Sequence, residues 1–268
     1  KLLELMVEKP LHLFKMKNYF NFKNKKILIM GGSSGFGAKI AKTFNEQDSY
    51  VWITGRNIRK LKKVINNCEK KKKIYPYAVD INNFEEVNHF FQYLKKKVKH
   101  LDIIIYCCGT NIRSNFNKIS NKDFKNVFNT NFFSAFNFYQ KVFPFIKNKK
   151  KISRIINFTS IFSSRTFEKR TSYSTSKAAL LMLTKNLALE WSNYNTTVNS
   201  ISPGPFLTEI NLPVLKDKKN YKEFCKKIPL NRFGKVDEII SSVLFLASES
   251  SSYVNGTEII VDGGWTIK

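Results

Sequence analysis

Cysteine is scarce in this chain of 268 residues, and Cys68, Cys107, Cys108 and Cys225 form neither a C-x-x-C pair nor a repeated spacing. That argues against both a zinc site and a disulfide framework, and it fits a protein of the reducing cytoplasm. Histidine is scarcer still: His12, His89 and His100 stand near no Cys or Ser motif. Metal ligation or a histidine-based nucleophile therefore has little to build on. No run of about 18 uncharged apolar residues occurs, so a membrane helix and a membrane partner are not expected. The first twenty residues carry charges throughout and contain no small-residue cleavage site, so no secretory leader is read there.

Acidic residues are also few. Twenty Asp and Glu face 46 Lys and Arg, a net charge of +26. Such a surplus suits a nucleic acid or an acidic surface, and lysine runs at 70–73, 95–97 and 149–151 add to that reading. The competing explanation is compositional, because joint enrichment in Lys, Asn, Ile and Phe follows from an AT-rich coding sequence whatever the function. What the chain does have is 43% apolar residues with 24 Phe, which excludes a disordered polymer. Its length suits one domain with a full core.

Short β-rich apolar runs alternate with stretches of helical period, the pattern of a parallel sheet covered on both faces. Strands are predicted at 26–30, 50–54, 74–78, 102–107, 154–158, 197–201 and 258–261. Helices are predicted near 35–46, 57–69, 83–97, 121–147, 171–192 and 235–248. The fold class is α/β: a Rossmann-type, doubly wound, seven-stranded parallel sheet in a single domain over 22–268. Residues 1–21 read as an N-terminal surface extension, and the Pro-containing segment 205–232 as an inserted helical lid. Each lysine run falls at a helix end just before a strand, where cations complement the helix dipole. Ligands in such sheets bind at the opposite edge, so a nucleic-acid partner is not expected.

Of the 11 glycines, Gly31, Gly32, Gly35 and Gly37 crowd into seven residues directly after the first strand and run into a helical pattern. Strand, glycine loop and helix in that order make a dinucleotide site, in which the helix N-terminus receives the pyrophosphate. Ser33, Ser34 and Phe36 lie within the same loop. The second strand ends Thr54-Gly55-Arg56 rather than in an Asp or Glu for a ribose hydroxyl. The planar fork of Arg56 suits a 2′-phosphate, which favours NADP(H) over NAD(H); its other reading is an ordinary surface charge at a helix start. Asp80 is placed to accept from an adenine amino group, or else caps the helix near 83–97.

Tyr173 and Lys177 open a strongly helical run at i and i+4, so phenol and ammonium share one face. The pair is expected to depress the Tyr173 pKa toward a value useful for general acid/base work. Ser160, at the carboxyl end of the fifth strand, is the third member.

With GGSSGFG at 31–37, Asp80-Ile81, Asn-Thr-Asn at 129–131, Ser160, Tyr173-x-x-x-Lys177, Pro203-Gly204 and VDGGW at 261–265, the chain resembles the short-chain dehydrogenase/reductase superfamily over residues 24–266. The resemblance implies that Tyr173 exchanges the proton of a carbonyl or alcohol and that Ser160 hydrogen-bonds its oxygen. It implies that Lys177 binds the nicotinamide ribose, and that Asn131 completes a proton relay on the Lys177 side. Pro203, Gly204, Phe206 and Thr208 would hold the carboxamide and phosphates, while Cys107, Gly109 and Ile81 would line the adenosine site. Two positions depart from the family pattern: Tyr106-Cys107-Cys108-Gly109 replaces Asn-Asn-Ala-Gly, and Met30 replaces the Thr before the glycine loop. A homotetramer or dimer through the helices near 121–147 and 171–192 is also implied.

Within the superfamily the C-terminal third is similar to gluconate 5-dehydrogenase-like and other sugar or polyol dehydrogenases, implying a small polar substrate. The rival resemblance is to 3-oxoacyl-acyl-carrier-protein reductase, which meets its acidic carrier with arginines beside the active site. The matching positions hold Lys151 and Tyr194. A cofactor-sensing protein without activity would be expected to lose Tyr173 or Lys177, and both are present. Among the basic residues only Arg56 and Lys177 receive a chemical role.

Overall fold

A computed structural model describes residues 20–268. Most of the expected N-terminal extension, residues 1–19, lies outside the described residues. The buried ring of Phe22 packs edge-on against Phe44, with centroids 5.0 Å apart.

Seven runs form strands: β1 (Lys26–Met30), β2 (Tyr50–Gly55), β3 (Ile74–Ala78), β4 (Ile103–Tyr106), β5 (Ser153–Phe158), β6 (Thr196–Pro203) and β7 (Glu258–Val261). They make one parallel sheet in the order β3-β2-β1-β4-β5-β6-β7. Strands buried on both faces read as continuous apolar runs, and period-two alternation sends successive side chains to opposite layers. Leu28 and Met30 of β1 face a cluster with Phe90, Phe138, Leu180 and Trp191. Their neighbours Ile27 and Ile29 face Ile40, Phe44, Val243 and Leu246 on the other side. Each such fully buried side chain contributes roughly 1.5–3 kcal/mol to holding the layers together.

The helices are α1 (Gly35–Glu46), α2 (Ile58–Asn66), α3 (Phe84–Lys97), α4 (Asn121–Phe128), α5 (Ser134–Val142), α6 (Thr171–Trp191), α7 (Leu212–Leu215), α8 (Lys218–Lys226) and α9 (Ile240–Ala247). The helix predicted across 121–147 is divided. A five-residue π stretch, Asn129–Phe133, separates α4 from α5, and a 3-10 turn carrying Pro144 ends the run at Phe145. The apolar period continues through both interruptions, so pattern alone does not reveal them. Within and just beyond the segment expected as a lid, α7 and α8 enclose a small core of Val214, Cys225, Ile228 and Phe233, against which Trp265 packs.

Each lysine run precedes a strand as expected, but only 95–97 closes a helix; 70–73 and 149–151 lie in turns beyond the helix ends. Lys95, Lys96 and Lys97 close α3, whose first turn holds Glu85 and Glu86, so both ends match the helix dipole. Lys71–Lys73 form a 3-10 turn entering β3, and Lys73 reaches Asp48 at 2.8 Å. From β1 the chain winds outward to β3, then returns to place β4 on the other side of β1. A crevice opens at that switch point, outside the carboxyl ends of the strands.

Candidate active site

The crevice is built first by the glycine loop. Gly31 takes φ +89°, and a Cβ on Gly37 would stand 2.2 Å from the Gly31 carbonyl oxygen, so the loop must turn without side chains at both points. The N-cap of α1, Ser34, makes no side-chain capping bond and no acidic residue occupies the first turn. The leading amides of a twelve-residue helix therefore face the crevice without a partner from a cap, as an anion requires. Met30 does not leave the loop slack, because the Thr54 hydroxyl donates to its sulfur at 3.1 Å. Cys107 keeps its strand linked through its backbone, its N–H donating to the Met30 carbonyl at 2.8 Å.

A groove of about 1430 Å³ runs from this loop past Ser33, Ser34, Arg56, Asp80, Ile81, Cys107 and Gly109. Arg56 is exposed along it, accompanied by Arg59 and Lys60 from the start of α2, two cations the sequence reading did not single out. The cap of α2 is Asn57 and the cap of α3 is Asn83, so neither Arg56 nor Asp80 is occupied in closing a helix. The Asp80 carboxylate accepts from the Asn82 N–H at 3.0 Å and borders the groove. A cradle without side chains, a bare helix N-terminus and a cationic far end together fit a phosphorylated dinucleotide.

The groove continues into a cavity of about 210 Å³ lined by Gly35, Phe36, Gly37, Ser160, Tyr173, Lys177, Pro203, Gly204, Phe206 and Thr208. Ser160 follows β5 and accepts from the Phe162 N–H at 3.2 Å, which fixes its hydroxyl at the strand end. Tyr173 and Lys177 come from the first two turns of α6. The Lys177 ammonium, 4% exposed, donates to the Phe158 carbonyl at 2.7 Å. Burial pulls it down to about 8. Asn131 borders neither cavity. Its amide accepts from the Thr110 N–H at 2.8 Å and donates to the Thr110 carbonyl and to Ser176 at 3.0 and 2.9 Å. The side chain thus ties the π stretch to the β4 loop and to α6, and makes no hydrogen bond to Lys177.

One expectation is reversed. Burial raises the Tyr173 phenol above its ordinary 10.0, while hydrogen bonding with Ser160 and the charge of Arg170 oppose that rise without cancelling it. Lys177 is not the cation that opposes it. Its ammonium is held by Phe158 and lies 6.0 Å from the phenol ring centroid. Arg170, the residue at the N-cap of α6 one turn before Tyr173, lines the cavity and was missed. Its i−3 spacing from Tyr173 is no signal by itself, since a charge before a helix is common. The phenylalanines Phe162, Phe224 and Phe233 of the same cavity were missed too, since their approach depends on segments distant in sequence meeting over the sheet. Lys151 and Tyr194 precede β5 and β6, at the edge where those strands begin, and so lie across the sheet from Ser160 rather than beside it.

Sheet order, glycine cradle and the Ser160, Tyr173 and Lys177 set define a nucleotide-dependent oxidoreductase of the short-chain dehydrogenase/reductase superfamily. Residues 31–266 match the family model described as enoyl-(acyl carrier protein) reductase, and the chain belongs to that family. It is 28% identical to gluconate 5-dehydrogenase of Gluconobacter oxydans, covering 92% of this chain and 97% of that one. It is 32% identical to the 3-oxoacyl-[acyl-carrier-protein] reductase of Chlamydia trachomatis, over 90% and 97%. Among solved structures it is similar to a gluconate 5-dehydrogenase from Burkholderia cenocepacia in complex with NADP and tartrate. That match has a TM-score of 0.87 at 27% identity and covers 93% of this chain and 98% of the other.

Proposed function

We propose that this enzyme interconverts a secondary alcohol and a ketone on a small polar substrate of the sugar-acid class, with NADP(H) as the redox partner. The observation that carries the reading is the convergence of Ser160, Tyr173 and Lys177 on one cavity that opens into the groove holding Arg56. Gly31 to Gly37 and the α1 N-terminus would hold the pyrophosphate, Arg56 the 2′-phosphate, and Lys177 the nicotinamide ribose. A nicotinamide held by these residues would supply or accept a hydride at the substrate carbon. Ser160 donates a hydrogen bond to the carbonyl oxygen. Tyr173 delivers its phenolic proton to that oxygen during reduction and takes it back during oxidation.

The 32% identity to a 3-oxoacyl reductase and the phenylalanines of the cavity favour a second reading, reduction of a 3-oxoacyl thioester. Against it stands the position of Lys151 and Tyr194 at the far edge of the sheet. A screen of keto-sugar acids against a 3-oxoacyl thioester, following NADPH oxidation, separates the two. Tyr173→Phe is expected to lower turnover about 1000-fold or more while NADPH still binds; equal background rates for wild type and variant across the whole screen would sink the enzyme reading. Arg56→Ala should weaken NADPH about 10-fold or more and leave NADH nearly unchanged, and equal losses for both would refute the choice of NADP. Exposed Phe133 and Phe136 near α5, with Met182 and Leu189 on α6, support a homo-oligomer, which light scattering would measure.

A further inference from the structure

Arg170 is 5% exposed and lines the cavity beside Ser160 and Tyr173, yet its Nη1 is buried without a hydrogen-bond partner. Among the described residues no carboxylate pairs with it. The guanidinium carbon lies 5.6 Å from the ring centroid of Phe162, so an aromatic face covers the cation without neutralising it. Its charged neighbour is a second cation, Arg113, whose Nη2 is also buried and unpartnered. Burial and the repulsion between the two pull Arg170 down to about 10, which still leaves it charged at neutral pH. Asn111, on the same wall, has a buried and unpartnered side-chain oxygen. A buried charge without a partner is costly, and a pair of like charges more so, unless something arrives to satisfy them.

Two sources of negative charge enter this site. The α1 N-terminus also lines this cavity, through Gly35, Phe36 and Gly37, but there the leading amides of α1 meet the pyrophosphate, and the groove of Arg56, where the 2′-phosphate is placed, is bordered by neither Arg170 nor Arg113. That leaves the substrate. The planar guanidinium fork matches a carboxylate through two parallel hydrogen bonds. The free acceptor of Asn111 suits a hydroxyl on the same molecule.

We propose that Arg170, backed by Arg113, is the carboxylate-binding residue of the substrate cavity, so that the enzyme selects hydroxy and keto acids over neutral polyols and thioesters. This rests on reading Ser160, Tyr173 and Lys177 as the catalytic set. Arg170 then has two separable effects: its position sets substrate choice, and its charge favours the Tyr173 phenolate.

The test compares a six-carbon keto acid with the six-carbon ketose lacking the carboxylate, at saturating NADPH. Wild type should favour the keto acid in kcat/KM by about 100-fold, and Arg170→Lys should shrink that ratio about 10-fold or more. Arg170→Gln should shrink it further and also shift the pH profile of both substrates, because the charge near Tyr173 is gone. A role confined to Tyr173 would change both substrates by the same factor and leave the ratio alone; that result, or a wild type indifferent to the carboxylate, overturns the proposal. A keto-sugar phosphate runs as a third arm, and preference for it over the keto acid would also count against a carboxylate site. If no ketone is turned over at all, the catalytic reading fails instead. The anion site is then decided by binding: tartrate should raise the Tm of the NADPH complex in wild type but not in Arg170→Gln, and no shift in wild type overturns it.

Discussion

Lys177 shows what a buried ammonium costs its fold. Its ammonium is almost fully enclosed, with one carbonyl, that of Phe158, as the hydrogen-bond acceptor found for it among the described residues. The ordinary value of 10.5 falls to about 8 because burial disfavours the charged form. Below pH 8 the folded and unfolded chains both carry the proton, and the folded one bears the full penalty of a buried charge. Between about 8 and 10.5 the unfolded chain binds more protons than the folded one, so stability from this group rises with pH and the penalty fades. Lys177→Met should therefore stabilise the protein by about 2 kcal/mol at pH 7, the gain disappearing by about pH 10.5, while turnover is lost. Urea denaturation at several pH values measures it. A variant less stable than wild type at pH 7 would show that the bond to Phe158 outweighs desolvation.

The break between α4 and α5 has one identifiable cause at the scale of the element. Asn131 uses both ends of its amide on Thr110 and a second donation on Ser176, so a single side chain joins the π stretch, the loop after β4 and α6. A regular α-helix would carry residue 131 to a different angle and lose those bonds, and π turns of this kind recur at functional sites. Asn131→Ala should cost about 1–2 kcal/mol, because the half-buried Thr110 backbone groups and the link to Ser176 would lose their partner. A loss under about 0.5 kcal/mol in urea melts would show that water replaces the amide. This break also marks where pattern reading ends. The seven strands were legible because runs of four to eight residues rich in β-branched, aromatic and other apolar side chains stand between polar turns, and the glycine loop because four glycines follow β1. The π stretch was not legible, since it depends on contacts between residues 110, 131 and 176. Nor was Arg170: a charge before a helix looks like any other until the cavity forms around it. The direction of the Tyr173 shift failed for the same reason, because spacing reveals a neighbour but not burial.

Over the whole molecule, 46 cationic side chains share 20 carboxylates, so 26 positive charges are left uncompensated. One carboxylate already serves two cations, Asp48 meeting both Lys70 and Lys73. Most remaining pairs are exposed, such as Lys60 with Glu209 and Arg232 with Glu238, and exposed pairs contribute little. Self-repulsion among the unpaired lysines is thus the larger electrostatic effect on the fold, and it acts over distances that salt screens. Raising NaCl from about 0.01 M to about 0.1 M shortens the screening length from roughly 30 Å to roughly 10 Å, weakening distant repulsion more than contact pairs. The Tm should rise across that range, by about 2–4 °C for each kcal/mol of repulsion removed. Differential scanning calorimetry without ligand measures it. A Tm that falls with salt would mean that the few ion pairs, not the surplus of +26, dominate the electrostatics of the folded chain.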